Sequence, residues 1–386
     1  MPNLVLPVAP GRSEAFALSP ARAFERHEGP FTRIAYAAPH VVVDALAEHD
    51  PWLDAAIDWE RTIGFRRHLW SLGLGVAEAM DTAQRGMGLG WPSALELIRR
   101  SVEASRDFTG ALIASGVGTD HLEPGPGVTV DDVLRAYETQ CEAVEALGGR
   151  IILMASRALA AAARGPADYA RVYGRILSQV REPVVLHWLG DMFDPALAGY
   201  WGGAEFETTM VTVLDIIAAH SDKVAGIKIS LLDKDKEILM RRRLPAGVRM
   251  FTGDDFNYAE LIEGDEQGHS DALLGIFNPI APAVNAALGN LACGEQERFR
   301  QTLAETVPLS REIFTAPTRF YKTGVVFIAW LNGHQDHFTM LGGQESTRSI
   351  LHLSRVFRLA DQAGVLIDPE KAATRMRHLL ATHGVA

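Results

Sequence analysis

A lysine lies in the middle of an apolar segment of this chain of 386 residues. Lys228 is surrounded by apolar and small residues in the run 224–230, which reads as a buried strand. An ammonium on a buried strand loses its hydration, so we expect its pKa to fall and its amine to be a nucleophile near neutral pH. The alternatives are a lysine that reaches solvent at a strand end, or one half of a buried ion pair. The pattern favours a catalytic role.

A histidine occupies a similar place one predicted strand earlier. His187 lies in the run 184–191, of sequence VVLHWLGD. Neighbouring parallel strands can direct their side chains into one site, where an imidazole could carry protons for chemistry at the lysine. The alternative is a core histidine bonded to a backbone carbonyl.

Other polar residues follow apolar runs. Asp254 and Asp255 come directly after Thr252 and Gly253, where carboxylates could orient a substrate hydroxyl or the lysine, or could simply begin a turn or a helix. Arg157 could bind a carboxylate or phosphate, because a guanidinium offers two parallel donors. The remaining candidates of this kind are Ser156, Asp191, Ser230 and Asn278.

The elements that must position these residues are predicted from apolar runs bounded by turn residues. Such runs predict strands at residues 33–37, 68–74, 110–116, 150–155, 183–189, 224–229, 248–252 and 271–277. Helical periodicity lies between most of them, as at residues 93–105, 130–147, 168–179 and 208–219. Eight strands alternating with helices predict an α/β fold, a (β/α)8 TIM barrel, whose active site lies at the carboxyl ends of the strands.

The predicted domain organisation has three parts. Residues 1–32 form an N-terminal extension, residues 33–290 the barrel, and residues 291–386 a helical region packed on it. Helices in the last part are expected at residues 295–307, 310–314, 325–331 and 347–363. Gly73 and Gly75 lack the third glycine of a dinucleotide-binding fingerprint, so no cofactor of that type is expected.

Composition narrows the class of protein. A formal net charge of -11 argues against nucleic acid and anionic membrane surfaces as partners. The two cysteines, Cys141 and Cys293, lack the spacing of a zinc site and suit a reducing cytoplasm. The N-terminal residues lack a secretory signal pattern, and no apolar run is long enough for a membrane helix. We therefore expect a cytoplasmic protein with a small-molecule substrate.

Three segments carry a family resemblance: Gly226-Ile227-Lys228, then Thr252-Gly253-Asp254-Asp255, then residues 271–278. In order and spacing they resemble the dihydrodipicolinate synthase and N-acetylneuraminate lyase superfamily, from about residue 33 to the end of the chain. In that superfamily the lysine of the sixth strand forms a Schiff base with a 2-keto acid. The resemblance implies a barrel with a C-terminal helical region, no cofactor, and a homodimer or homotetramer.

Two positions depart from the superfamily pattern. Its second-strand loop of glycine, two threonines, glycine and glutamate holds the keto-acid carboxylate, whereas the matching segment 73–78 reads GLGVAE and lacks the hydroxyls. His187 matches the place where the superfamily usually has a proton-relaying tyrosine. These departures indicate a divergent branch with its own carbonyl substrate.

The residues and the resemblance together predict a lyase or aldolase acting on a small keto acid or a keto or aldehyde sugar derivative. Lys228 forms an imine and His187 carries protons, while substrate is bound by Gly73, Ser156, Arg157, Ser230, Asp254, Asp255 and Asn278. The same imine could instead serve the dehydration of a sugar acid. Two other classes stay open: a metal-dependent aldolase or isomerase using His187, Asp191, Asp254 and His334 or His337, and a barrel without catalysis.

Overall fold

Eight parallel strands close into a barrel at the centre of the molecule. A computed structural model describes residues 2–80 and 84–385. An antiparallel hairpin, β1 (Asn3–Ala9) and β2 (Arg12–Ala17), precedes the barrel. The barrel strands follow in chain order and the last pairs with the first: β3 (Ala35–Ala37), β4 (Gly75–Glu78), β5 (Ile113–Val117), β6 (Arg150–Leu153), β7 (Val184–Leu189), β8 (Val224–Ser230), β9 (Arg249–Thr252) and β10 (Asp271–Leu274). This closure confirms the predicted (β/α)8 barrel.

Amphipathic helices cover the outside of the barrel. They are α1 (Trp59–Ser71), α2 (Trp91–Ser105), α3 (Val130–Ala146), α4 (Arg157–Ala162), α5 (Pro166–Gln179), α6 (Phe206–Ala219), α7 (Lys234–Arg241), α8 (Tyr258–Glu263) and α9 (Ala281–Ala292). Helix α5 shows why they form: its buried residues recur at helical spacing along one face. They are Tyr169, Val172, Tyr173, Ile176 and Leu177.

The barrel interior is a separate small core. Inward side chains from the strands and their ends form one cluster, which contains Tyr36, Ala38, Ala77, Met80, Ala114, Ile152, Met154, Val185, Phe251 and Leu273. Because side chains alternate along a strand, the residue two positions after an inward residue also faces inward. After Val185 on β7 that next position is His187, whose register partner on β8 is Lys228, and after Phe251 on β9 it is Gly253, just beyond the strand. The sequence thus places its candidate catalytic residues one layer above the apolar interior.

The predicted second strand, at residues 68–74, is wrong. Its first half belongs to α1, whose buried residues repeat at helical spacing: Thr62, Phe65, Arg66, Leu69 and Trp70. The helix ends with Gly73 at a φ of 73°, and the amides of Gly73 and Leu74 donate to the carbonyls of Trp70 and Leu69. This is a Schellman cap, which explains the glycine. The barrel strand is the next segment, β4.

The C-terminal region consists of α10 (Gln296–Ala304), α11 (Val307–Ile313), α12 (Tyr321–Leu331), α13 (Ile350–Gln362) and α14 (Pro369–Thr382). Every residue of α12 is buried. The N-terminal hairpin packs on this region, where Ser354 on α13 donates a hydrogen bond of 2.7 Å to the carbonyl of Pro7. Within residues 2–80 and 84–385, no helix is both long and apolar enough to span a membrane.

Candidate active site

Lys228 and His187 lie side by side inside the mouth of the barrel. They are register partners on the adjacent strands β8 and β7, and both are buried. Gly253, at the end of β9, makes room for the lysine: a Cβ there would lie 2.7 Å from Lys228 Cε and 2.3 Å from Ser230 Oγ. The structure therefore brings Lys228, His187 and Ser230 together. We call these three residues the inner group.

The surroundings of His187 favour its neutral form. Burial, and secondarily the positive charge of Lys228, lower the pKa of His187 well below its ordinary value. Its Nε2 lies 3.3 Å from Ser230 Oγ, and its Nδ1 has no hydrogen-bond partner among the described residues. A neutral imidazole has one nitrogen that accepts a proton and one N–H that donates a proton. Such a group suits proton transfer beside an amine.

The two aspartates after β9 accept hydrogen bonds from different parts of the chain. Asp254 Oδ1 accepts hydrogen bonds from the amides of Phe256 and Asn257, and its Oδ2 accepts from the Asn257 side chain. Burial raises the pKa of Asp254. Asp255 Oδ1 accepts from the amide of Ile276, 3.0 Å away, just beyond the end of β10. Asp254 thus shapes its own turn, while Asp255 lies between the ends of the seventh and eighth barrel strands.

Ser156 and Arg157 line a cavity at the ends of β5 and β6. Thr119 Oγ1 lies 2.6 Å from Ser156 Oγ, and Arg157 Nε donates to Asp194 over 2.6 Å. The cavity has a volume of about 260 Å³, and Met154 of the barrel interior forms part of its wall. We call it the strand-end cavity. Its hydroxyl groups and its guanidinium can hold a polar substituent of a substrate.

A second polar cluster lies at the ends of β3 and β10. Asn278 Nδ2 donates to the carbonyls of Ala38 and Gly275, at 2.5 and 3.1 Å. Lys322, from α12, donates to the same Ala38 carbonyl over 2.9 Å. Asn278 Oδ1 is buried and has no hydrogen-bond partner in the described part of the chain. The C-terminal region thus adds a cation to the mouth of the barrel.

Aromatic side chains form a cover over the same end of the barrel. Phe314 and Tyr321 stack with ring centroids 4.4 Å apart, and Phe193 meets Tyr321 edge to face at 6.2 Å. A Cβ on Gly275, which follows β10, would lie 3.0 Å from both Phe314 and Tyr321. The cover joins the loop after β7 to the C-terminal helices. It shields the polar groups beneath it from water.

One predicted participant, Gly73, lies elsewhere. Gly73 precedes β4 and so lies at the opposite end of the barrel, where its role is the cap of α1. Glu78, the last residue of the segment matched to the carboxylate-binding loop, is fully buried in an ion pair with Arg66, at 2.8 and 2.9 Å. The loop prediction for residues 73–78 is therefore corrected: the segment is a helix cap and a strand.

Sequence reasoning missed Thr119 and Lys322. The signal for Lys322 was present, because it is a lysine at the start of an apolar helix, much as Lys228 is a lysine within an apolar strand. Thr119 carries no such signal, since threonines after strands are common turn residues. Its pairing with Ser156 becomes visible only when β5 and β6 lie side by side.

The residues considered as metal ligands in the alternative hypothesis do not lie together. Asp191 is exposed in the loop after β7, while His334 lies against Phe65 and His68 of α1, at centroid distances of 5.0 and 4.8 Å. Across residues 2–80 and 84–385, no three histidine, cysteine, aspartate or glutamate side chains are grouped as metal ligands. The proposed ligand set is therefore not assembled in this fold.

Solved structures with the same fold include several dihydrodipicolinate synthase relatives. A putative dihydrodipicolinate synthetase from Pseudomonas aeruginosa has a TM-score of 0.63 and 15% identity, covering 88% of this chain and 99% of its own. A 4-hydroxy-tetrahydrodipicolinate synthase from Methylacidiphilum fumariolicum SolV has a TM-score of 0.63 and 15% identity, covering 90% and 99%. YagE, a prophage protein of the dihydrodipicolinic acid synthase family from E. coli K12 solved with pyruvate, has a TM-score of 0.62 and 14% identity, covering 92% and 99%. These similarities confirm, at the level of the fold, the resemblance seen in the sequence.

Sequence comparison places the chain more narrowly. No curated protein matches it. One family model matches residues 4–385, and it describes a protein of unknown function, DUF993. That match includes the hairpin, the barrel and the C-terminal helices, so the chain belongs to the DUF993 family.

Proposed function

We propose that the chain is a Schiff-base-forming lyase or aldolase that acts on a small carbonyl compound. One observation carries the proposal: Lys228 is buried inside the mouth of the barrel as the register partner of the neutral His187. A buried amine beside a proton acceptor is the arrangement that imine chemistry needs. The shared fold with dihydrodipicolinate synthases supports the same class of reaction.

The reaction begins with attack of the Lys228 amine on the carbonyl carbon. The carbonyl oxygen takes up a proton, and the resulting carbinolamine loses water to give a protonated imine. When the bond between the α and β carbons breaks, the imine accepts its electron pair and becomes an enamine. The β-hydroxyl loses its proton at the same step, and the departing fragment leaves as a carbonyl compound. Protonation of the enamine carbon and addition of water then release the product and restore the amine. Bond formation follows the same steps in reverse.

His187 and Ser230 would move the protons of these steps. The Nε2 of His187 faces Ser230 Oγ, and the close approach of Gly253 places that hydroxyl beside the lysine side chain. A hydroxyl both donates and accepts, so it can pass a proton between imidazole and carbinolamine. Arg157, Ser156, Asp255 and Asn278 would bind the remainder of the substrate.

Borohydride trapping tests the proposal. The purified chain is reduced with borohydride in the presence of 2-keto acids or of keto and aldehyde sugars, and its intact mass is measured. We expect an added mass equal to that of the substrate less one oxygen atom, because imine formation releases water and reduction adds two hydrogens; the adduct should be lost in Lys228→Ala. Lys223→Ala is the matched control, because Lys223 directly precedes the same strand at its other end and donates to the Val180 carbonyl.

Two results would contradict imine formation at Lys228. One is an adduct that persists in Lys228→Ala, which would place the nucleophile elsewhere. The other is the absence of an adduct with every carbonyl compound in the panel. For a compound that does form an adduct at Lys228, analysis of its products distinguishes C–C cleavage from dehydration.

A further inference from the structure

A cavity outside the barrel lies between helix α1 and the C-terminal region. Its volume is about 210 Å³, and residues of α1, the start of α9, α12 and the loop before α14 line it. Most of its wall is apolar and includes Phe24, Phe65, Val325 and Ala329. Arg22 and Ile367 also line it and are both exposed, so the cavity extends to the protein surface. We call it the helix cavity.

Two imidazoles with unused hydrogen-bonding groups lie together in this wall. His68 of α1 and His334, which follows α12, have ring centroids 4.8 Å apart. Their ring nitrogens make no hydrogen bond to any group within residues 2–80 and 84–385, and both side chains are half-buried. Their donors and acceptors are therefore available to a molecule that enters the helix cavity.

The charge of the wall favours an uncharged ligand. Burial lowers the pKa of His334 to about 4, with a smaller effect from His68. Burial, and secondarily Arg26, lower the pKa of His68. Among the described residues that line the cavity, the one charged side chain is Arg22, which pairs with Glu305. An ion would lose hydration here without gaining an unpaired opposite charge.

The size and the lining of the cavity suit one substituted aromatic ring. An apolar protein cavity of about 150 Å³ can hold benzene, so a volume of about 210 Å³ leaves room for one polar substituent. Phe65 lies 5.8 Å from His68 and 5.0 Å from His334 between ring centroids, which gives an entering ring three aromatic neighbours. A hydroxyl group can donate to one neutral imidazole and accept from the N–H of the other.

We propose that the helix cavity is a second binding site, for a small uncharged aromatic compound with a hydroxyl group that bonds to His68 and His334. Phenol is the simplest compound of this class. The inference is independent of imine formation at Lys228. Asn278 also lines the helix cavity and donates to the Ala38 carbonyl, so the ligand lies next to the polar cluster at the ends of β3 and β10.

Isothermal titration calorimetry with phenol and with toluene tests the inference. We expect phenol to bind the unmodified chain with a Kd of about 1 mM or below. Ala329→Leu puts a larger side chain into the cavity and should weaken phenol binding at least about 10-fold. Ala218→Leu, on the exposed side of α6, is the matched control and should bind phenol as the unmodified chain does.

A second variant tests the hydrogen bond separately from the space. His334→Phe keeps an aromatic ring but removes both ring nitrogens. It should lower the affinity for phenol relative to toluene by about 2- to 10-fold, the range for one hydrogen bond between neutral groups. An unchanged ratio would overturn the assignment of His334 as a ligand-binding residue.

A crystal structure of the unmodified chain with phenol gives an independent answer and decides the matter even where a variant fails to fold. A ring in the helix cavity, with its oxygen within hydrogen-bond distance of His68 and His334, supports the inference. Phenol bound only elsewhere, or seen in the crystal without binding in calorimetry, overturns it. Equal phenol affinity in a folded Ala329→Leu, or tighter binding of benzoate than of phenol, also contradicts it.

Discussion

The buried histidine beside Lys228 makes the stability of the fold depend on pH. The pKa of His187 is well below its ordinary value of 6.5 in the folded chain, so unfolding lets it take up a proton. The contribution of neutral His187 to the free energy of unfolding is fully present above pH 6.5. As the pH falls below 6.5, the free energy of unfolding decreases by up to about 1.4 kcal/mol per pH unit. Urea unfolding of His187→Gln between about pH 5 and pH 8 should show a shallower loss of stability than the unmodified chain. His378→Gln, at an exposed site, serves as the control, and an equal slope in both variants would contradict the prediction.

The ion pair of Arg66 and Glu78 is a second residue-scale feature, and it is structural. Both side chains are fully buried, and the carboxylate also accepts hydrogen bonds from Ser101 Oγ and the amide of Ala79. Removing one partner leaves a buried charge, so we expect Glu78→Gln to lower the free energy of unfolding by about 3–5 kcal/mol. The exposed pair Arg67 and Asp107 gives the comparison: Asp107→Asn should cost less than about 1 kcal/mol. If urea denaturation gave the two variants a similar decrease in the free energy of unfolding, the buried pair would contribute no more to stability than the exposed pair.

At the scale of single elements, substitution of one glycine should affect stability alone, and substitution of another should affect imine formation. Gly73 caps α1 with a positive φ, so Gly73→Ala should lower the free energy of unfolding by about 1 kcal/mol without changing imine formation. Gly253 has no space for a Cβ beside Lys228 and Ser230, so Gly253→Ala should displace the inner group and slow trapping at least about 10-fold. Borohydride trapping and urea denaturation of both variants check the pair. Slower trapping in Gly73→Ala would contradict the assignment of Gly73 as a helix cap and would indicate that it contacts substrate.

The elements show where sequence was sufficient and where it was not. Apolar runs bounded by turn residues located every barrel strand except the second, because at residues 68–74 the apolar side chains of a helix end continue into the cap and the next strand. Lys228 was recognisable because one short segment contains both its charge and its apolar surroundings. Lys322 also lies beside an apolar run, but its position at the mouth of the barrel depends on its contact with Ala38, which is distant in sequence. Thr119 had no signal of its own, because its contact with Ser156 forms only in the folded barrel.

At the scale of the whole molecule, the candidate site belongs to the barrel and the C-terminal region together. The barrel supplies the inner group, whereas α12 supplies Lys322 and Tyr321. Phe193 reaches from the loop after β7 to meet these helices. A barrel without its C-terminal helices would therefore lose the cover, the second cation and the apolar packing of α12 at once.

This joint construction predicts that the barrel and the C-terminal region unfold as one unit. Every residue of α12 is buried, Lys322 binds the Ala38 carbonyl of the barrel, and Asn332 Nδ2 donates to the Val365 carbonyl before α14. Amide hydrogen exchange followed by mass spectrometry should give peptides of α12 and β8 the same free energy of opening, equal to that of global unfolding. Peptides from β2, whose residues are mostly exposed, are the internal control and should exchange at a much lower free energy. If α12 exchanges well before β8, the C-terminal region opens on its own, and displacement of the aromatic cover then gives substrate a route to Lys228.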